Sequence, residues 1–160
     1  MSPSQLTQLL TFALAAMKTG SQIAAAARAD IRQAAQHPHL QALLDQEAAT
    51  AQQWEVRIDR ALAEVGGVAA PVNHVLTTHY EVDQRIRQFT AADPAVRDLS
   101  MIASGQRALH YWLSFFDSAR AYAAQAGLLQ TAQDLQASHD EARQADAHYA
   151  HLTAQLLGVQ

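Results

Sequence analysis

The stretch DPAVRDLSMIASGQRALHYWLSFFDSARAYAAQAG (residues 93–127) predicts one long helix with clear ends. Asp93 suits the capping position before a helix, and Pro94 suits the first helical position. Gly127 is typical of the residue that ends a helix. Between these ends, apolar residues recur at the three- and four-residue spacing of one buried helix face. The predicted stripe runs through Leu99, Ile102, Ala103, Gln106, Leu109 or His110, Leu113 and Phe116.

The rest of the chain has the same organisation. Its few prolines and glycines predict five helical segments, at residues 4–36, 38–65, 73–91, 94–126 and 128–157. Four of them are long and amphipathic with short connections, which is typical of an antiparallel four-helix bundle. The segment at 73–91 is shorter and more polar, and we expect a side helix that carries the chain across between the two halves. We therefore predict an all-α protein with a single domain over residues 1–160.

Composition agrees with this fold and argues against several functions. Hydrophobic residues make up 49% of the chain, with only 6 glycines and 4 prolines. A net charge of −4 without a basic patch argues against nucleic-acid binding. The lack of cysteine excludes disulfides, thiolate nucleophiles and zinc–sulfur sites. No apolar run reaches membrane-spanning length, and no basic leader precedes the apolar N-terminal part, so we expect a cytoplasmic protein.

Two polar residues interrupt apolar helix stripes and are the first candidates for chemistry. Glu47 lies in the stripe of the second segment, where a carboxylate is costly unless it is paired. It is interpreted as a metal ligand, as the partner of His110 or of an arginine, or as an edge residue that reaches water. His110 lies between Leu109 and Trp112, and its options are a metal ligand, a catalytic base or a packed histidine. The packed interpretation is favoured, because buried polar groups need a hydrogen-bond partner.

Other motifs predict little catalytic chemistry. The sequence has no nucleophile–base pair, no Gly-rich phosphate loop and no H-E-x-x-H motif. His148 and His151 lie one turn apart and would chelate an added divalent cation, but an incidental surface pair is the favoured interpretation. The large aromatic residues are predicted to lie in the core or in a dimer interface, namely Trp54, Trp112, Phe115, Phe116 and Tyr149. The bulk of YWLSFF (residues 111–116) favours the interface for part of them, and therefore a homodimer.

Several stretches resemble the YciE/YciF-type ferritin-like family of bacterial stress-associated proteins. The resemblance depends on DPAVRDLSMIASGQRALHYW (93–112), AQAGLLQTAQDLQ (124–136) and DEARQAD (140–146), and residues 39–67 are similar in layout to a family helix. It implies a ferritin-like bundle that holds two iron or manganese ions between four helices. Carboxylates and a histidine suit such ions, because hard oxygen ligands neutralise their charge.

This chain departs from the family pattern where the metal ligands are expected. The family's two glutamates beside the His-Tyr pair fall on Leu109 and Trp112, and its first-helix glutamate falls on or near Ser21. Its second-helix H-x-x-E motif aligns with Glu47 and Thr50. The ligand set that the resemblance leaves is Glu47, His110, Glu141 and Asp146, with His139 nearby. For Glu141 and Asp146, a place on a solvated helix face is the favoured interpretation.

Two hypotheses follow. In the first, the dinuclear site has decayed, no cofactor binds, and the protein is a non-enzymatic structural, interaction or stress-associated homodimer. In the alternative, the reduced ligand set holds one iron or manganese ion and supports redox or peroxide chemistry.

Overall fold

The computed structural model describes residues 2–67 and 71–159, and this part of the chain forms five α-helices. They are α1 (Pro3–Ala34), α2 (Pro38–Val65), α3 (His74–Phe89), α4 (Pro94–Gln125) and α5 (Leu129–Leu157). Each predicted boundary lies within two residues of the observed one. The prediction of an all-α bundle with a short crossover helix is therefore confirmed.

The helix ends follow from the residues that mark them. Asp93 Oδ1 accepts hydrogen bonds from the backbone N–H groups of Ala95 at 2.9 Å and Val96 at 3.2 Å, so it caps α4 as predicted. Gly66 ends α2 with a φ of 89°, in the left-handed region that favours glycine. These signals are local, which explains why the sequence alone placed the helices well.

Helices α1, α2, α5 and α4 form the bundle, and each packs against the next in that order, with α4 closing the ring against α1. Neighbouring helices are antiparallel. Lys18 pairs with Asp59 and Arg32 with Asp45 between α1 and α2, so later residues of one helix meet earlier residues of the other. Helix α3 packs on the outside against α1 and α4. It returns the chain from the end of α2 to the start of α4.

The bundle core is apolar along most of its length. Its fully buried large side chains include Leu10, Leu14, Met17, Leu40, Ile58, Ile102, Phe116, Leu135 and Tyr149. Burial of each such side chain stabilises the fold by about 1.5–3 kcal/mol. An aromatic cluster of Trp54, Trp112 and Phe116 lies at mid-height, with ring centroids 5.2–6.0 Å apart.

The remaining bulk of the YWLSFF segment is accommodated within the chain. Tyr111 packs against Phe115 with ring centroids 4.9 Å apart, and both lie against the core cluster. The Tyr111 hydroxyl also accepts a hydrogen bond from the side-chain amide of Asn73 at 2.6 Å. Asn73 in turn caps α3 by accepting from the backbone N–H of Leu76. The segment thus anchors the crossover helix.

The second aspartate of the DPAVRD motif holds the hairpin between α1 and α2. The carboxylate of Asp98 is buried and accepts hydrogen bonds from the backbone N–H groups of Gln36 at 3.0 Å and His37 at 2.6 Å. These N–H groups lie beyond the end of α1, where no helical partner remains for them. Through Asp98, the motif therefore connects α4 to the hairpin between α1 and α2. Among the described residues, no helix is long and apolar enough to cross a membrane.

Candidate functional site

Glu47 is the most unusual polar group in the bundle. Its residue is only partly buried, but its Oε1 atom is shielded from solvent and has no hydrogen-bond partner among the described residues. The other oxygen, Oε2, accepts a hydrogen bond from the hydroxyl of Tyr149 at 2.6 Å, across the α2–α5 interface. An unsatisfied buried acceptor costs about 1–3 kcal/mol, so this carboxylate requires an explanation.

Burial decides the ionisation of Glu47. Removal from water raises the pKa of Glu47 to about 7, although the Tyr149 hydrogen bond and the positive charge of Arg28 both act in the opposite direction. The same surroundings raise the pKa of Tyr80 to about 12, through burial first and the negative charge of Glu47 second. Burial and Glu47 likewise raise the pKa of Tyr149 well above its usual value. Glu47 therefore titrates near neutral pH while both tyrosines remain protonated.

A cavity of about 320 Å³ lies beside Glu47 and between all the helices of the bundle. Two tryptophans, Trp54 and Trp112, form part of its wall together with Leu109. The space exists because the surrounding helices carry small residues at this level, namely Ala24, Ala48, Ala51, Gly105, Ala108 and Ala145. Gly105 is required here, since a Cβ atom at this position would lie only 2.7 Å from the Tyr149 ring.

Glu141 is a structural residue and is already fully paired. Its carboxylate binds the Arg57 guanidinium through two hydrogen bonds of 2.7 and 3.0 Å and also accepts from the Trp54 indole at 2.8 Å. Burial raises the pKa of Glu141, but the hydrogen bonds from Arg57 and Trp54 and the charge of Arg57 outweigh it and hold the pKa below its usual value. The group is an anchor between α2 and α5, and the interpretation as a solvated face residue is wrong.

The interpretation of His110 as a packed core histidine is also wrong. Its side chain is 67% exposed, and Nε2 lies 3.4 Å from Asp146 Oδ2. Leu109 takes the inward position instead and is buried. The two residues are 100° apart on the helix, so the apolar pattern alone did not decide which of them faces the core. Asp146 also accepts a hydrogen bond from the Gln106 side chain at 3.1 Å.

The predicted metal ligands therefore do not converge. Glu47 is bound to Tyr149, Glu141 to Arg57, and Asp146 lies beside His110 on the surface. Within residues 2–67 and 71–159, no group of three or more His, Asp or Glu side chains is arranged to hold a metal ion. The donor set thus does not fit a two-metal centre, and metal binding by these four residues stays a prediction.

The other expected ligand positions are occupied by residues that cannot bind a metal well. Ser21, Leu109 and Trp112 are all buried, and the Ser21 hydroxyl has no hydrogen-bond partner within the described part of the chain. His139 lies 3.4 Å from both Asp117 and Asp140. His148 lines the cavity, and both it and its predicted chelating partner His151 are exposed.

Sequence reasoning missed two residues of the site. The sequence predicts Tyr149 only as one of the aromatic residues of the core or of a dimer interface, and it does not indicate Tyr80. A signal for Tyr149 existed, since antiparallel α2 and α5 that pair Arg57 with Glu141 place Glu47 about opposite Tyr149. Finding it required the register between two helices, which the periodicity of one helix does not contain.

Comparisons with known proteins agree with this architecture. Over residues 5–158 the chain matches the family model described as a domain of unknown function, DUF892. The E. coli stress protein YciF is similar in structure, with a TM-score of 0.87 and 16% identity over 97% of this chain and 98% of that one. YcfI, described as a proposed structural protein from Rhodopseudomonas palustris, has a TM-score of 0.84 and 19% identity over 91% of this chain and 92% of that one.

No curated protein matches the chain. At these identities the two structures show the shared fold alone, whereas the family model covers nearly the whole chain. The expected YciE/YciF-type relationship is therefore confirmed, and the chain belongs to the DUF892 family.

Proposed function

We propose that this protein is a non-enzymatic structural and interaction protein of the cytoplasm that works as a homodimer and in which the family's dinuclear site has decayed. The observation that carries the proposal is an exposed apolar stripe on α3. Val75, Val82 and Phe89 are spaced seven residues apart and are 66%, 46% and 91% exposed. Val72, just before the helix, extends the stripe and is 75% exposed.

A seven-residue spacing places these side chains on one face of α3. The neighbouring face, with Leu76 and Asp83 again seven apart, is buried against the bundle. Helix α3 therefore buries one face, which contains Leu76 and Asp83, and leaves the apolar side chains of a second face exposed. Exposed apolar side chains aligned on one helix face favour a protein–protein contact, because water is released when a partner covers them. A second copy of the chain is the partner that we propose for this stripe.

The interior supports a role without metal catalysis. Where the family resemblance places carboxylates, the core has Ser21, Leu109 and Trp112, all of them buried. Two of these side chains have no ligand atom for a hard metal ion, and the third offers only a neutral hydroxyl. The name of YciF as a stress protein supports a stress-associated role for this chain as well. A transcript that rises when the cells are stressed is the expected result, and a constant level would count against this role.

The oligomer can be tested on exposed residues, so that folding is not at risk. We expect the wild-type protein to sediment at twice the chain mass, and the triple variant Val75→Gln/Val82→Gln/Phe89→Gln to sediment as a monomer. Val56→Gln is the matched control, since Val56 is 63% exposed on α2, away from the stripe. A wild type that stays monomeric at high concentration, or a triple variant that stays dimeric, would contradict the proposal.

A second candidate function is favoured by one observation, the unpartnered Oε1 atom of Glu47. A single iron or manganese ion bound there would satisfy this oxygen. In that case the purified protein retains one ion per chain, and Glu47→Ala removes it. Retention of the ion by Glu47→Ala would place the metal elsewhere.

A further inference from the structure

The cavity beside Glu47 combines an apolar wall with two buried carboxylate oxygens that have no hydrogen-bond partner among the described residues, Glu47 Oε1 and Asp83 Oδ1. Asp83 already pairs with Arg87 through its other oxygen, whereas Glu47 has no cationic partner of this kind in the described part of the chain. Glu47 lines the cavity, and its Oε1 atom is buried without a partner among the described residues. The only hydroxyl proton of Tyr149 is already used on Oε2. When Glu47 is ionised, at pH above its pKa of about 7, a group that completes the site must therefore come from outside the described structure and must donate a hydrogen bond.

The size and walls of the cavity indicate what such a group belongs to. The cavity measures about 320 Å³, and Trp54, Leu109 and Trp112 give it broad apolar surfaces. Apolar cavities of about 150 Å³ bind benzene, so this one has room for a molecule of two fused rings. Flat aromatic walls favour an aromatic guest, which packs against them by stacked or edge-on contacts.

The charges around the cavity favour a neutral guest. Arg28, on α1, also lines the cavity, and it is close enough to lower the pKa of Glu47. This guanidinium balances the negative charge of Glu47, so a neutral donor completes the site without adding charge. The other carboxylates of the lining are already paired, Asp45 with Arg32, Asp83 with Arg87 and Glu141 with Arg57. Tyr80 from α3 and Tyr149 from α5 are uncharged, α5 also contributes His148, and α4 contributes no titratable side chain to the lining.

We propose that this cavity binds a neutral, mainly aromatic small molecule that carries one N–H or O–H donor, which binds Glu47 Oε1. Indole is the simplest probe of this chemistry, since it has one N–H donor on a two-ring apolar body. Such binding goes beyond the interaction role proposed for α3, and neither proposal requires the other.

The two tryptophans of the chain report on this cavity directly. Both Trp54 and Trp112 line it, so the two indole N–H signals of ¹⁵N-labelled protein are the natural readout in a two-dimensional NMR spectrum. Indole is expected to shift both signals saturably. The matched probe 1-methylindole has no donor, and it is expected to bind at least about tenfold more weakly, the ratio typical of one hydrogen bond to a charged group.

Two variants distinguish the contribution of the Glu47 hydrogen-bond acceptor to binding from that of the cavity volume. Glu47→Gln keeps an amide oxygen for Tyr149 but presents an N–H₂ group to the cavity, so the preference for indole over 1-methylindole should disappear. Ala51→Leu should abolish binding of both probes, because it fills a position in the cavity wall. Ala63→Leu makes the same change at an exposed position of α2 and should leave binding intact.

Three results would overturn the proposal. They are the absence of saturable shifts with indole, equal affinities for the two probes in the wild type, and binding that survives Ala51→Leu. Ala63→Leu is measured in parallel with Ala51→Leu as its control. Loss of binding in Ala51→Leu alone is attributed to the filled cavity, whereas loss in both variants indicates a general effect of leucine on α2.

Discussion

The Tyr149 hydroxyl donates a hydrogen bond of 2.6 Å to Glu47 Oε2 and thereby joins α5 to α2 inside the bundle. This contact satisfies only half of the carboxylate, because Oε1 has no partner in the described part of the chain. Within the described residues, Glu47 belongs neither to a group of three or more potential metal ligands nor to a conventional ion pair. Burial raises the pKa of Glu47 to about 7, so the carboxyl group gains or loses its proton near physiological pH.

The first prediction concerns pH. Glu47 has a pKa of about 7 in the folded protein against an ordinary value of 4.5, so the folded state holds its proton longer than the unfolded state does. Stability is therefore lost as pH rises from about 4.5 to 7, by about 3 kcal/mol for a shift of this size. The glutamine side chain of the Glu47→Gln variant does not titrate, so this variant should not show this fall in the free energy of unfolding between about pH 4.5 and 7. Urea unfolding of both proteins at pH 4.5, 6 and 8 measures the difference. Parallel pH dependence of the two proteins would contradict the assignment.

The second prediction concerns Gly105. A Cβ atom here would lie 2.7 Å from Tyr149 Cζ and 2.8 Å from its hydroxyl. Gly105→Ala should destabilise the protein by about 1–3 kcal/mol, although alanine is the better helix former by about 1 kcal/mol. Gly20→Ala is the comparison, because its nearest contact is the flexible end of Leu76 at 2.9 Å. Thermal denaturation should rank Gly105→Ala below Gly20→Ala, and the reverse order would show that Tyr149 is not held in place.

The third prediction concerns the hairpin anchor. Asp98→Ala leaves two backbone N–H groups, those of Gln36 and His37, without their acceptor. We expect a loss of about 2–3 kcal/mol in the free energy of unfolding. Asp93→Ala removes only a helix cap and should cost about 1 kcal/mol. Chemical denaturation of the two variants tests this order. Equal losses would mean that Asp98 does not tie the hairpin to α4.

The fourth prediction separates the buried ion pair from surface pairs. Glu141→Ala leaves the Arg57 guanidinium and the Trp54 indole N–H unpaired and should cost about 2–4 kcal/mol. Asp117→Ala breaks contacts with Arg120 and His139 that involve an exposed carboxylate, and it should change stability by less than about 1 kcal/mol. Tryptophan fluorescence during unfolding measures both. A loss for Asp117→Ala as large as that for Glu141→Ala would contradict the anchoring role.

Most of the fold could be predicted from the sequence, because its signals are local. Helix α4 begins at Asp93 and Pro94, and α2 ends at Gly66, because of the backbone and side-chain preferences of these residues. Amphipathic spacing identifies the buried faces. The packing of Trp112 inside the bundle, beside Trp54 and Phe116, was also predicted correctly.

The site could be predicted only in part, since it depends on register between helices. Glu47 was recognised as anomalous from its own helix, but its partner Tyr149 comes from another helix far along the chain. At residues 109 and 110, both a leucine and a histidine fitted the predicted stripe, and the structure buries Leu109 and exposes His110. The cavity forms because small residues of several helices lie at the same height in the bundle. The sequence pattern of one helix does not show which residues of the other helices lie at that height.

Metal content tests the central claim most directly. Untagged protein is incubated with iron(II) or manganese(II) without oxygen, desalted and analysed by plasma mass spectrometry. Because Leu109 and Trp112 occupy positions where the family resemblance places carboxylates, we expect no iron or manganese to be retained in stoichiometric amount. Two ions retained per chain would contradict the account.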